Sequence, residues 1–489
     1  MRVPLFFAFS ALVAHAAPVR ITVLDQAGQV MPARVHLQDS TGKPQRHPTL
    51  PFWRDHFVCT GRVDIPLPEG NYTFQIERGP EFTAAGGALS ASEPTNITVT
   101  LTRITDLVRE GWWSGETHVH RPSEDIPLLM QAEDLHVAHV ITWWNNTNPW
   151  KDKSPPENPL TRFDSGRFFQ VMAGEDERGG GALLYLNLPK PLDITGSKRE
   201  FPSASKYLRE ARKLPGVHVD IEKPFWWDTP LWVSSGQVDT IGIAHNHMHR
   251  GGVLDSEAWG RARNPSEHAG PQGNGRYTQN IYYHLLNCGL RVQPSAGSAS
   301  GVLPNPVGYN RVWVHCGEEF SWDKWHAGLR AGRTFVSNGP LLRCRANGQL
   351  PGHIFRTNTP LQVQFDIKLD SRDKIAALEL VRDGNIQPME MGDRANTVTF
   401  QKSGWFLVRA IADPTNTFRF ASTAPWYVEI NSQPSTVRPE SAQFFLDWSR
   451  QRMRQLTSTN LTDLQREEVL SPWKEAEQFW RKKLADAGQ

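Results

Sequence analysis

The chain has little net charge, few cysteines and no long apolar run. Lys plus Arg number 53 against 51 Asp plus Glu in 489 residues. A balance that even argues against nucleic acid or an anionic membrane surface as the main partner. The four cysteines, Cys59, Cys288, Cys316 and Cys344, are widely spaced with no CxxC pair, which argues against a cysteine zinc site. Their spacing leaves disulfides and buried thiols equally open. No segment supplies the roughly eighteen consecutive apolar residues of a membrane-spanning helix, and neither an internal repeat nor a low-complexity tract occurs.

The apolar run that does exist is short and terminal. Arg2 precedes Pro4 to Val13, and Ala14-His15-Ala16 fits a small-x-small cleavage site. Residues 1–16 therefore read as a signal peptide, and the expected location is periplasmic or extracellular.

Residues 17–103 carry short period-2 runs with turn signals between them, such as Val63-Asp64-Ile65-Pro66-Leu67, Pro68 to Asn71, then Tyr72 to Ile76. That pattern predicts an N-terminal β-sandwich. From 108 to 345, short apolar strands (Ala138 to Thr142, Phe168 to Met172) take turns with helical windows (Pro127 to Asp134, Ser203 to Leu214, Arg276 to Cys288). Such alternation implies a parallel sheet or barrel with its working residues at the strand C-termini. Residues 346–432 return to alternation and predict a C-terminal β-sandwich, and 438–489 read as a helical tail. The expected architecture is multidomain, α/β plus all-β.

Four clusters carry chemistry. In Gly115-Glu116-Thr117-His118-Val119-His120, the histidines share a face if the segment is a strand, and paired imidazoles at a strand end suit a divalent metal. The bland alternative is an ordinary His-x-His on a half-buried strand. Ile243-Ala244-His245-Asn246-His247-Met248-His249-Arg250 repeats the pattern with three histidines, unless it is a solvated His-rich loop. Ala173-Gly174-Glu175-Asp176-Glu177-Arg178 is acidic after a strand; Glu175 suits a metal ligand or general base, whereas Asp176 and Glu177 read better as a charged turn. Asp220 and Glu222 either add ligands or pair with Lys223 and Arg250. Tryptophan doublets at 112–113, 143–144 and 226–227 offer an aromatic wall for a flat or sugar-like ligand, with at least one Trp of each pair in core packing.

On these motifs residues 108–430 resemble the PHP (polymerase and histidinol phosphatase) metal-dependent hydrolases, and more closely their carbaryl-hydrolase (CehA/McbA) branch. The carriers are Gly115 to His120, Ala173-Gly174-Glu175 and Gly332-Arg333-Thr334-Phe335-Val336-Ser337-Asn338-Gly339-Pro340. The resemblance implies a distorted seven-stranded (β/α) barrel holding up to three divalent ions, zinc, manganese or iron. Several family motifs are altered: Thr142-Trp143-Trp144-Asn145 stands for Thr-Asp-His, Lys223-Pro224 for His-Pro, Gly180-Gly181-Ala182 for the Gly-His expected after the glutamate, and Gly297-Ser298-Ala299-Ser300-Gly301 for the loop ending Asp-x-His. The implied site is a reduced one. Its metal ligands are His118, His120, Glu175, His245 and His247, with zinc the first expectation, and its catalytic groups are Glu175, His249 and Arg250, with Lys223 a further candidate for the leaving oxygen. The expected activity is hydrolysis of an ester, amide or carbamate bond in a small molecule. The alternative is a catalytically silent module that binds a glycan or envelope component through its aromatic rim. Oligomeric state is not legible.

Overall fold

The structure, a computed structural model, describes residues 16–390 and 397–487. Apart from Ala16, the expected signal peptide lies outside the described residues. The chain divides into two compact units. The first runs to Arg78 and adds Phe82–Arg103 and Gln131–Glu133; the second contains the rest.

In the first unit, Ala16–Leu24 pairs antiparallel with Arg62–Pro68 and parallel with Thr95–Thr100. A five-stranded sheet accompanies it, in the order Phe52–Trp53, His56–Cys59, Ala33–Asp39, Asn71–Glu77, Ala85–Ser90. The period-2 sequence explains the burial: Val63, Ile65 and Leu67 point inward while Arg62, Asp64 and Pro66 face solvent. These residues join Val19, Ile21 and Val23, with Val35, Leu37 and Phe57, in one core shared by both sheets.

The second unit is built on a curled sheet. Trp112–Val119, Val137–Trp144, Arg167–Arg178, Gly181–Leu186, His218–Ile221, Thr240–Ala244 and Gln293–Ala296 are neighbours in that order. All pairs are parallel except those made by Gly181–Leu186, which is antiparallel to both its neighbours. The exception follows from the two-residue Gly179-Gly180 turn, too short for a crossover helix. After the last strand the chain returns to the first: Ser300 bridges Val119 in parallel, and the Ala299 N–H donates to the His118 carbonyl at 2.9 Å. The ends of the seven-strand run therefore meet. Helices Ile126–Ala132, Ala204–Ala211, Thr229–Ser234 and Gly273–Asn287 fall in the connections.

Trp112–Val119 also pairs antiparallel with Arg311–His315. From there the sheet continues through Thr334–Ser337, Phe420–Thr423, Gly404–Ala412, Ile375–Arg382 and Asn385–Pro388. A second sheet, Leu341–Ala346, Leu361–Asp370 and Thr397–Phe400, shares with it a core of Leu342, Phe365, Leu380, Phe406 and Trp426. The expected boundary at 345/346 falls inside Leu341–Ala346. Helices Pro439–Thr457 and Asp463–Asp486 bury Trp448, Trp473 and Trp480. The Trp480 indole donates to the Pro230 carbonyl at 3.2 Å, and Arg452 pairs with Asp228 and Glu200 at 2.8 and 2.6 Å. All four cysteines are free thiols, and among the described residues no helix is long and apolar enough to cross a membrane.

Candidate metal centre

His118 and His120 project from one face at the end of Trp112–Val119, as the alternation of a strand dictates. The loop behind them needs small residues. A Cβ on Gly297 would lie 2.6 Å from the His118 Cβ, and one on Gly301 (φ +103°) would lie 2.3 Å from the His120 carbonyl oxygen. Glu175 arrives from Arg167–Arg178, the second strand over. Gly174 permits that approach, because a Cβ there would fall 1.8 Å from the Trp143 ring. Three donor atoms converge: His118 Nε2 and His120 Nε2 are 2.9 Å apart, and Glu175 Oε2 lies 3.3 Å from the first and 3.1 Å from the second.

This set fits a divalent cation. Donors about 2.0–2.1 Å from a tetrahedral ion stand about 3.3 Å from each other, close to the spacings observed. The other ring nitrogen of His118 supports the same orientation. Nδ1 lies 3.4 Å from Glu222 Oε1, an approach of charges without a hydrogen bond; a ring proton on that side would leave the Nε2 lone pair facing the cluster. Glu222 is itself held by Lys223 Nζ and, at 3.1 Å, by the Trp226 indole. Electrostatics agree. Burial pulls the His118 imidazole down, but Glu175 and Glu222 outweigh it and hold it at about 10. Burial likewise pushes Glu175 up, and His118 reverses that and keeps it well below the usual carboxylate range.

Above the cluster lies a cavity of about 160 Å³. His118, His120, Glu175, Glu177, Lys223, Asn246 and His247 supply its polar wall, and Trp144, Trp226, Trp259, Val302 and Leu303 its apolar one. Glu177 corrects the expectation of a charged turn. Residues 175–178 continue a strand, so Glu175 and Glu177 share the cavity face while Asp176 turns away and pairs with Arg178 through two bonds of 2.5 and 2.8 Å. Burial, with Glu175 beside it, pushes Glu177 up to about 7. Asn145, in the left-handed region at φ +49°, accepts the Glu177 N–H at 2.9 Å and fixes the backbone there.

The remaining expected residues scatter. His247 lines the cavity and its Nδ1 has no hydrogen-bond partner. His245 is turned away: Nε2 bonds Thr278 at 2.8 Å and Nδ1 accepts the His247 N–H at 3.3 Å. His249 and Arg250 do not line the cavity; they lie on and beside the short Met248–His249 strand, their carbonyls held by Thr417 at 2.7 Å and Arg419 at 3.0 Å. Asp220 is gripped by Ser295, Thr240 and Thr117 at 2.5, 2.7 and 3.3 Å, a buried anchor between strands. Of the tryptophan doublets, Trp144 and Trp226 reach the cavity, whereas Trp113 stacks on Phe320 at 4.0 Å. Trp259 had no signal in the sequence.

A second group of donors close enough to hold a metal ion lies in the first unit: His36, Asp55 and His56. The sheet register Arg34↔Val58, Val35↔Phe57 makes His36 and His56 cross-strand neighbours. Asp55 Oδ2 lies 3.2 Å from His36 Nδ1, and Oδ1 lies 2.8 Å from His56 Nδ1. Arg34 Nε donates to His36 Nε2 at 3.0 Å.

No family model and no curated protein matches this chain. One solved structure, of Clostridium thermocellum CbhA fibronectin(III)-like modules, is similar at 11% identity over 17% of this chain and 93% of that one, with a TM-score of 0.13. A likeness that slight carries no argument about fold or function.

Proposed function

We propose that this chain is an exported, metal-dependent hydrolase of the PHP type, acting through a single divalent ion, zinc first, on an ester, amide or carbamate bond of a small molecule. The observation that carries the reading is the convergence of His118 Nε2, His120 Nε2 and Glu175 Oε2 at the floor of a 160 Å³ cavity. The meeting ends of the seven-strand sheet support the PHP-like barrel.

His118, His120 and Glu175 would hold the ion, with Glu222 orienting His118 from behind. When bound, such an ion supplies Lewis acidity that brings the pKa of water toward ~7. Glu177 faces the same cavity from two residues beyond Glu175. It takes the general-base role first expected of Glu175, receiving a proton from water and returning it to the leaving group. Lys223, not Arg250 or His249, presents N–H donors to a substrate oxygen. The aromatic wall excludes water and selects a compact acyl or aryl group.

Metal analysis of protein purified without a His-tag, paired with hydrolysis of p-nitrophenyl acetate, tests this. About one equivalent of metal is expected, with turnover abolished by a chelator and both lost in His118→Ala. Less than about half an equivalent, unchanged by that substitution, sinks the reading; glycan binding indifferent to chelator then supports the silent module instead.

A further inference from the structure

Two buried carboxylates, Glu175 and Glu222, and the half-buried Glu177 border one cavity or its wall. A single ion on His118, His120 and Glu175 leaves the buried Glu222 without a metal partner, and buried charge must be paired. Lys223 meets that need. It is 3% exposed, its Nζ bonds Glu222, lies 4.4 Å from the Trp226 ring centre and lines the cavity. The Trp226 indole donates to the same Glu222 oxygen at 3.1 Å, which fixes the carboxylate against the ammonium. One divalent ion beside Glu175 and one ammonium on Glu222 already bring three positive charges to the cavity; a second divalent ion added to both would leave the pocket with excess positive charge.

Resting on the metal-centre reading above, we propose that the Lys223 ammonium is the built-in second cation of this site: it fills the place beside Glu222 that a second divalent ion would take, and so keeps the centre mononuclear. Lys223 also lines the cavity, where a compact point charge suits a substrate oxygen without demanding fixed geometry.

The test is metal stoichiometry rather than turnover. Full-length, tag-free wild type, Lys223→Arg, Lys223→His and Lys223→Gln are loaded with excess zinc, dialysed and analysed for metal, with a thermal melt recorded for each. Wild type and Lys223→Arg, which keep the cation, are expected at about one equivalent, and Lys223→His, which adds an imidazole donor, at about two. Lys223→Gln removes the charge without adding a strong donor and reports on exclusion alone; it is expected to take a second equivalent at higher zinc, and it decides the case if the histidine variant does not fold. Two equivalents in the wild type, or a folded Lys223→His and Lys223→Gln that both stay at one, overturn the proposal while leaving the metal-centre reading intact. No bound zinc in the wild type overturns both.

Discussion

The two histidine–acid groups of this molecule share a composition and differ in what stands behind the imidazole. In the second unit the Glu222 carboxylate lies 3.4 Å behind His118 Nδ1, so with an ion bound a ring proton on that side would leave the Nε2 lone pair to the other donors. In the first unit Arg34 backs His36. An arginine has no lone pair to accept a proton, so its N–H takes the His36 Nε2 lone pair and leaves the ring proton on Nδ1, aimed at Asp55. The His36 Nε2 lone pair is thereby taken, and its Nδ1 stands 3.2 Å from Asp55 with a proton on that side instead of a lone pair for a metal. Arg34 is itself enclosed by Glu133 and, at 2.6 Å, Glu77. The first group is a buried ion network that locks a sheet, and the second is a set of lone pairs converging on a point. Proximity of donors does not make a metal site; the partner on the far nitrogen decides.

Substitutions can break this contrast. His118→Ala is expected to abolish metal binding, a loss well beyond the ~10–100-fold typical of outer partners, while His36→Asn leaves the metal content of the same preparation unchanged. Equal losses in both variants, measured by plasma mass spectrometry, erase the distinction. Arg34→Ala removes one partner of a buried network and is expected to cost about 3–5 kcal/mol of stability, read in urea unfolding, again with no change in bound metal. Glu222→Gln keeps the size of the side chain and removes the acid behind His118; zinc affinity by competition with a chelator should fall ~10–100-fold. An unchanged affinity denies Glu222 its orienting part.

The gentlest test is pH. Burial holds His56 in the first unit at about 3, and His139 and His218 in the second at about 4 and about 3. Each is depressed relative to the unfolded chain, so between about 6.5 and those values the unfolded state binds more protons. Their contribution to stability is complete above about pH 6.5 and is lost as pH falls toward 4. Thermal melts of metal-free protein from about pH 6.5 to 4 should decline, with Glu177, pushed up to about 7, offsetting part of the loss; stability that rises steadily over that range contradicts the neutral burial of these rings.

Much of the fold is legible because burial follows period. Val63, Ile65 and Leu67 announce a one-faced strand, and the alternation of short strands with helical windows announces the curled sheet. His118 and His120 are legible for the same reason, since two residues apart on a strand means one side. Glu177 shares that logic with Glu175 and still reads as a turn in sequence, because a polar Glu-Asp-Glu-Arg run has no apolar alternation to mark it as strand. His245 shows the opposite case: its local pattern suits a ligand, but Thr278, 33 residues further on, takes its Nε2.

What the sequence by itself determined is which side chains face together within one strand, because that depends only on the backbone's alternation. Which strands meet, and which nitrogen of each histidine is left bare, only the tertiary structure decided. Glu175 and Glu222 reach His118 from strands and turns far along the chain, and Lys223 arrives with Glu222. A lone pair's direction is set by whatever polar group the fold places on the opposite side of the ring.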